Sequence, residues 1–250
     1  MLRWFKADLH IHTVLSPCAE LSMGPKDIVN KALEHDLDII AVTDHNSAEN
    51  VRCVIQAARN TSLTVIPGME VYVKDEAHIV CLFASLGDAL AFQHVIYEAL
   101  PDGDYDASFF GEQIICDESE NIIGENNRLL ALPVSLNVDQ IADLVVEFNG
   151  IMIPAHVDRK AHSLLRTLSF MPNNLPVYAM EVAHSIEQAK KRFGILANGR
   201  YGIIRSSDAH DIAQIGTKYT FFKMEEPSFA ELGKAIRQVD GRRISQVKEN

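Results

Sequence analysis

Short β-branched runs alternate with longer amphipathic stretches along almost the whole chain, and this alternation restricts it to strand-helix units around a largely parallel sheet. The runs lie at 6–12, 38–43, 64–73, 78–84, 150–155, 177–182 and 201–206. Between the first two, Ile28, Val29, Ala32 and Leu33 recur at helical spacing behind Pro25, a residue suited to a first helical turn. Similar helices are expected at 48–59, 86–99, 138–148, 160–169, 186–193 and 228–239. Seven such units in 250 residues predict an α/β barrel forming one domain over 1–250. One interval breaks the rhythm. Segment 101–133 is polar, and in it 113–116 and 121–124 flank the turn-rich 117–120, which predicts a small β-hairpin insertion, either a variable surface excursion or a lid over the barrel mouth.

Composition excludes several function classes. Lys and Arg number 23 against 34 for Asp and Glu, so the net charge of −11 argues against a basic footprint over the whole surface. A polyanionic partner must meet a local positive site, and no stable complex with long nucleic acid is expected. No window approaches the ~18 apolar residues of a membrane span. Asp8 and His10 fall where a signal peptide needs an apolar stretch. The four cysteines form no Cys-x-x-Cys pair and read as reduced thiols. These features together predict a cytoplasmic protein. Ten histidines are the one unusual count, because neutral imidazole is the commonest metal ligand.

Strand alternation places Asp8, His10 and His12 on one face of the first strand and Leu9 and Ile11 on the other. Other strands end in Asp44-His45-Asn46, Gly68-Met69-Glu70, Pro154-Ala155-His156 and Ser207-Asp208-Ala209-His210. Barrel enzymes build active sites where the carboxyl ends of their strands converge. His78 opens its strand instead, so it reaches Glu70 only if 74–77 is a tight reversal that interrupts the parallel order.

This ordered set, Asp8-Leu9-His10-Ile11-His12-Thr13, Thr43-Asp44-His45-Asn46, Gly68-Met69-Glu70, His78, Pro154-Ala155-His156 and Ser206-Ser207-Asp208-Ala209-His210, resembles the PHP (polymerase and histidinol phosphatase) superfamily from about residue 6 to residue 222. The resemblance implies a distorted (β/α)7 TIM-like barrel, two or three divalent metals and phosphoester hydrolysis. It implies that His10, His12, Glu70 and Asp208 hold one metal. Glu70 would bridge to a second held by His78 and His156, and His45 and His210 would hold a third. Asp8 and Asp44 then orient imidazoles from outside the ligand shell. Many relatives carry a further ligand shortly after the first motif, where this chain has Ser16-Pro17-Cys18-Ala19-Glu20; Cys18 or Glu20 would replace it.

Mixed imidazole and carboxylate ligands suit zinc, manganese or iron better than magnesium. Asp8, Asp44, Glu70 and Asp208 contribute about −4 and three divalent ions about +6, so the mouth would carry roughly +2 and attract phosphate. The expected function is hydrolysis of a small phosphomonoester, a nucleotide or a short RNA. Water between the metals would be acidified to a pKa of about 7 and would attack phosphorus in line. Asp8, Asp44, Arg159 and His210 are the candidate catalytic residues, with Arg159 forking onto a phosphate oxygen. Glu181 and His184 are candidate substrate contacts. Two alternatives stand beside this reading: a metal-dependent amidohydrolase, which also uses His-x-His on a first strand, and a non-catalytic module that keeps metal for stability.

Overall fold

The protein is described by a computed structural model over residues 1–246. Its first half contains β1 (Arg3–Ile11), α1 (Pro25–Glu34), β2 (Ile39–Val42), α2 (Val51–Ala58), β3 (Thr64–Val73), β4 (Ala77–Leu82) and α3 (Leu86–Glu98). The insertion supplies α4 (Ala107–Phe110), β5 (Ile114–Cys116) and β6 (Ile122–Glu125). Then come α5 (Val138–Glu147), β7 (Ile151–Pro154), α6 (Leu164–Thr167), β8 (Ala179–Glu181), α7 (Ile186–Arg192), β9 (Gly202–Ile204), β10 (Thr220–Met224), α8 (Phe229–Arg237) and β11 (Arg243–Ser245).

All seven anticipated strands are present, and they follow one another round a curled sheet. β1, β2 and β3 pair in parallel, β3 and β4 pair antiparallel, and β4 pairs antiparallel with β7. β8 and β9 form a separate parallel pair, joined to the rest by single bridges from Met152 to Val177 and from Ile11 to Ala209. The order is therefore not strictly (β/α)7. A helical crossover needs about a dozen residues, and only Lys74, Asp75 and Glu76 separate β3 from β4, so the chain reverses in a hairpin with Glu76 at φ +54°. This reversal brings His78 back toward Glu70. The helix expected at 160–169 shrinks to the single turn α6. The segment before it is held in extended pairing, because the His162 carbonyl accepts the His78 N–H.

Two strands escaped the sequence reading. β10 runs antiparallel to the first half of β1, and β11 pairs with β10. Phe222 and Met224 of β10, with Leu232, Ala235 and Ile236 of α8, fill the end of the barrel opposite the ligand residues. Above them, the interior is made of residues such as Ala7, Leu9, Ala41, Ile66, Val80, Ile153, Ala179 and Ile204 from all seven staves. A second, larger core packs the outer faces of the strands against the helices, for instance through Ile28, Val29 and Ala32 of α1 and Ile141, Ala142 and Val145 of α5.

The alternation expected for β1 is wrong in one respect. Ala7 pairs with Ile39 and Asp8 with Ile40, yet the next pairing is Ile11 with Val42, so β1 takes three steps where β2 takes two. This β-bulge reverses the facing of everything after it. Ala7 and Leu9 face the interior, Ile11 joins the outer core, and His10 and His12 turn inward at the mouth. Asp8 therefore does not share their face.

The anticipated insertion hairpin is present as β5 and β6. It packs beside the mouth against α2 and the loop after β1: Ile114 N–H donates to the Val14 carbonyl, and the Asn50 amide donates to the Ile114 carbonyl.

Candidate metal centre

The strand ends meet in a ring of backbone hydrogen bonds. His12 N–H donates to the Ala209 carbonyl, Thr43 N–H to Ile11, Glu70 N–H to Asp44, Ala155 N–H to His78, Val157 N–H to Glu181 and Val182 N–H to Ile204. Each bond ties a ligand-bearing segment to its neighbour, so side chains more than 190 residues apart in sequence converge. Asp208 and His156 hold positive φ values of +54° and +30°. Both sit in the left-handed region that non-glycine residues seldom adopt, a kind of strain that concentrates at functional sites.

Glu70 lies at the centre and is buried. Its Oε1 is 3.0 Å from His156 Nε2, 3.1 Å from His78 Nδ1 and 3.2 Å from His10 Nε2, while its Oε2 is 3.0 Å from His45 Nδ1 and 3.6 Å from His12 Nε2. Asp208 Oδ1 stands 3.3 Å from His10 Nε2 and 3.4 Å from His12 Nε2, and those two nitrogens are 3.2 Å apart. The expected His10, His12, His45, His78 and His156 thus come together around one carboxylate, and Asp208 and His210 join through His10 and His12. Three groups present ligand atoms mutually within 4.8 Å: His10, His12 and Asp208; His45, Glu70 and His78; and His12, His45 and His210.

The spacing fits divalent transition ions. A tetrahedral ion with bonds of about 2.1 Å separates its ligand atoms by roughly 3.4 Å, whereas calcium takes oxygen ligands and does not suit a set rich in imidazole. The quartet His10, His12, Glu70 and Asp208 spans 3.2–3.6 Å. His45 Nδ1, moreover, lies 3.0 Å from a Glu70 oxygen without hydrogen-bond geometry. Such side-by-side approach is what two ligands of a common ion show.

Neighbouring groups fix which imidazole nitrogen is free. His10 Nδ1 is 3.1 Å from Glu181 Oε2, so its proton belongs there and Nε2 keeps a lone pair toward the quartet. His210 Nδ1 lies 2.9 Å from the Asp208 carbonyl and is assigned its proton in the same way. Asp44 acts one step further out. It accepts from Thr13 N–H at 2.7 Å, Thr13 Oγ1 at 2.8 Å and Ser16 Oγ at 2.7 Å, and Ser16 Oγ in turn meets His12 Nδ1 at 2.9 Å. Asp8 is occupied by the N–H groups of Ser207 at 2.9 Å and Gly216 at 3.0 Å, so it anchors the segment leading to Asp208. Burial raises its pKa to about 6 against those hydrogen bonds.

Sequence reasoning took Glu181 for a substrate contact, but its side chain is buried, and it also accepts the His156 N–H at 3.1 Å. The signal available was its place at the carboxyl end of a strand, three residues before the exposed His184. With Glu181 included, the carboxylates sum to about −5, and three divalent ions would leave roughly +1 in the mouth rather than +2.

The protonation states follow the same layout. Burial works against charge on Glu70, but His78 and His10 beside it hold its carboxyl well below the usual range. His12 is pushed well below its ordinary value by burial and by His210 and His45. Of the two candidates in the loop after β1, Cys18 is the one beside the cage: His210 and His45 draw its thiol down to about 6, overcoming desolvation. Glu20 instead gives its backbone N–H to the His210 carbonyl at 2.8 Å. Arg159 places a guanidinium nitrogen 2.5 Å from Asp208 Oδ2 and is 40% exposed at the lip of the mouth. His184, 68% exposed, pairs with Asp158 at 3.1 Å.

Comparisons with known proteins agree with this geometry. The PHP domain family model matches residues 8–159, and the PHP-associated model matches 201–239. Among solved structures, the lesion-specific endonuclease Q of Pyrococcus furiosus superposes with a TM-score of 0.71 at 19% identity, covering 96% of this chain and 57% of that one. The chain thus spans little more than half the length of that relative. A Bifidobacterium adolescentis protein provisionally described as a metal-dependent phosphoesterase gives a TM-score of 0.57 at 17% identity over 82% and 87% of the two chains. A Chromobacterium violaceum structure described as an amidohydrolase gives 0.60 at 18% identity over 88% and 92%. No curated protein matches the sequence. Among the described residues no helix is long and apolar enough to cross a membrane. With the family model covering the converging residues from β1 to His156, the chain belongs to the PHP domain family, and its three clusters of imidazoles and carboxylates could hold metal ions.

Proposed function

We propose that the chain is a phosphoesterase that removes phosphate from a small phosphomonoester or from a nucleotide or short oligonucleotide, using two or three zinc, manganese or iron ions. The observation that carries this reading is the convergence of five imidazoles on the two oxygens of Glu70. His10, His12, Glu70 and Asp208 would hold one ion, Glu70, His78 and His156 a second, and His45 and His210 a third. Bound there, the ions supply Lewis acidity toward water and phosphoryl oxygens.

The protein side of the mechanism is orientation and charge. Glu181 holds the His10 proton at Nδ1, and Asp44 through Ser16 does the same for His12, so both Nε2 atoms stay available. Asp8 pins the Asp208 segment against β1. Arg159 sits on Asp208 at the mouth, where its guanidinium would fork onto a phosphate oxygen if Asp208 held an ion.

The amidohydrolase alternative gains less support. Among the described residues, the groups in contact with Glu70 and Asp208 are imidazoles and one guanidinium, with no lysine amine among them. A nucleic-acid strand is the second substrate reading, favoured by the likeness to an endonuclease fold. The test is a panel of histidinol phosphate, AMP, a nucleoside 3′,5′-bisphosphate, short RNA, an abasic duplex and a cyclic amide, given to protein loaded separately with each metal. Phosphate release from a member of the panel supports the reading. Turnover of the amide alone, or of nothing, refutes it.

A further inference from the structure

Beside the metal cage lies a cleft of about 660 Å³ lined by Asp158, Arg159, Lys160, His162, His184, Gln188 and Arg192, among others. It begins where the cage ends: Arg159 contacts Asp208 at 2.5 Å, and the His162 ring stacks on His78 at 4.4 Å between centroids and 16° between planes. Its charge is predominantly positive. The single lining carboxylate, Asp158, is already met by the Ala183 N–H at 2.7 Å, the His184 N–H at 2.8 Å and His184 Nδ1 at 3.1 Å. Lys160 and Arg192 have no ion pair among the described residues. On a chain with a net charge of −11, three cations gathered at the lip of a metal centre make a local anion site.

We propose that this cleft is a second phosphate subsite, so that the substrate carries a further phosphate beyond the one cleaved. Lys160 and Arg192 would recognise that group as charge-assisted donors, Arg192 through a planar fork and Lys160 as a point charge. Arg159, between the two, faces both phosphates. The shared chemistry is a phosphate beside the scissile ester, supplied either by a nucleoside bisphosphate or by the next phosphodiester of an oligonucleotide. This inference rests on the phosphoesterase reading for its kinetic test, and binding tests it independently.

The experiment compares adenosine 3′,5′-bisphosphate, AMP and a short single-stranded RNA on the metal-loaded wild type and on a Lys160→Ala/Arg192→Ala double variant. Both positions are exposed, so the variant retains the core. The ratio of kcat/KM for bisphosphate over AMP is expected to fall about 10- to 100-fold, the range set by losing charge-assisted hydrogen bonds. Titration calorimetry of the bisphosphate under non-turnover conditions should show a loss of affinity of the same size. If no phosphate ester is hydrolysed but bisphosphate binding still depends on the two cations, the subsite stands and the reaction assigned above falls. Loss confined to the bisphosphate places a terminal phosphate in the cleft, and parallel loss for RNA places a backbone phosphate there; both support the subsite. An unchanged ratio with unchanged affinities, or equal weakening for AMP, overturns it.

Discussion

The two halves of the barrel bring ligands to the same centre by different means. β1 to β4 are four to ten residues long and pair along continuous ladders, with six residue pairs between β3 and β4 alone. β8 and β9 have three residues each and meet the remaining staves through single bridges. The first half carries His10, His12, His45, Glu70 and His78 on a backbone that would hold them without help. The second half carries His156, which follows the β7 ladder on β4, and Glu181 and Asp208, whose places are tied to the first half by side chains: Glu181 to His10, Asp208 to His10, and Asp8 to the Ser207 N–H. One half is a scaffold, and the other is closed over it by the chemistry of the site.

The largest effect expected is at the hub they share. Glu70→Gln keeps the shape but removes the charge that five imidazoles face, so turnover should fall by about 10³-fold or more. Metal content, measured by elemental analysis, should drop with it. Near-normal turnover would remove Glu70 from its bridging position.

Stripping the metal by chelation should separate the halves directly. At a free metal concentration about 100-fold above Kd, binding contributes about 2.7 kcal/mol, which is roughly 100-fold in opening equilibrium. Amide exchange should speed up by that order in β8 and β9 and far less in β2 and β3. Uniform deprotection would show that the halves open together.

Glu181→Gln tests the crossing contact itself and should weaken metal affinity about 10- to 100-fold, the usual cost of losing a carboxylate partner of a ligating histidine. A metal titration read by competition with a chromophoric chelator measures this. The smallest effect lies away from the mouth. Glu231 accepts from Arg242 Nε at 3.0 Å, Arg242 Nη2 at 2.9 Å and Lys234 Nζ at 2.8 Å, and Arg242 chiefly holds its carboxyl down to about 2. A lowered carboxyl pKa stabilises the fold above the unfolded value near 4.5 and loses that contribution as pH falls toward 2. Glu231→Gln should therefore cost about 1 kcal/mol at pH 7, and the difference from wild type in urea midpoint should vanish at low pH. Metal loading should leave that difference unchanged, since α8 closes the far end of the barrel.

The same contrast explains what was legible in the sequence. The seven staves and the ligand residues were readable because β-branched runs ended in histidine and carboxylate, and strand ends converge on any barrel. The β3–β4 hairpin was readable conditionally, from the shortness of 74–77. β10 was not, since its partner is the first half of β1, across more than 200 residues, and β11 was not, since its partner is β10. The role of Glu181 was missed because it is set by a neighbour 171 positions earlier. The facing of Asp8 was missed because a bulge leaves no periodic trace in the strand that carries it.

That bulge also governs how the barrel divides its labour. An unbroken β1 would alternate in a single phase, so any strand lining the apolar floor with Ala7 and Leu9 would have to aim Ile11, not His10 and His12, into the mouth. One surplus residue shifts the phase partway along and lets a single strand serve as wall of a dry cavity at one end and as a chelating arm at the other. The boundary between solvent-excluding barrel and reactive rim is thus drawn by one residue of register. Pairing β1 with β2 without that extra step would invert the rim while leaving the sequence of the strand unchanged.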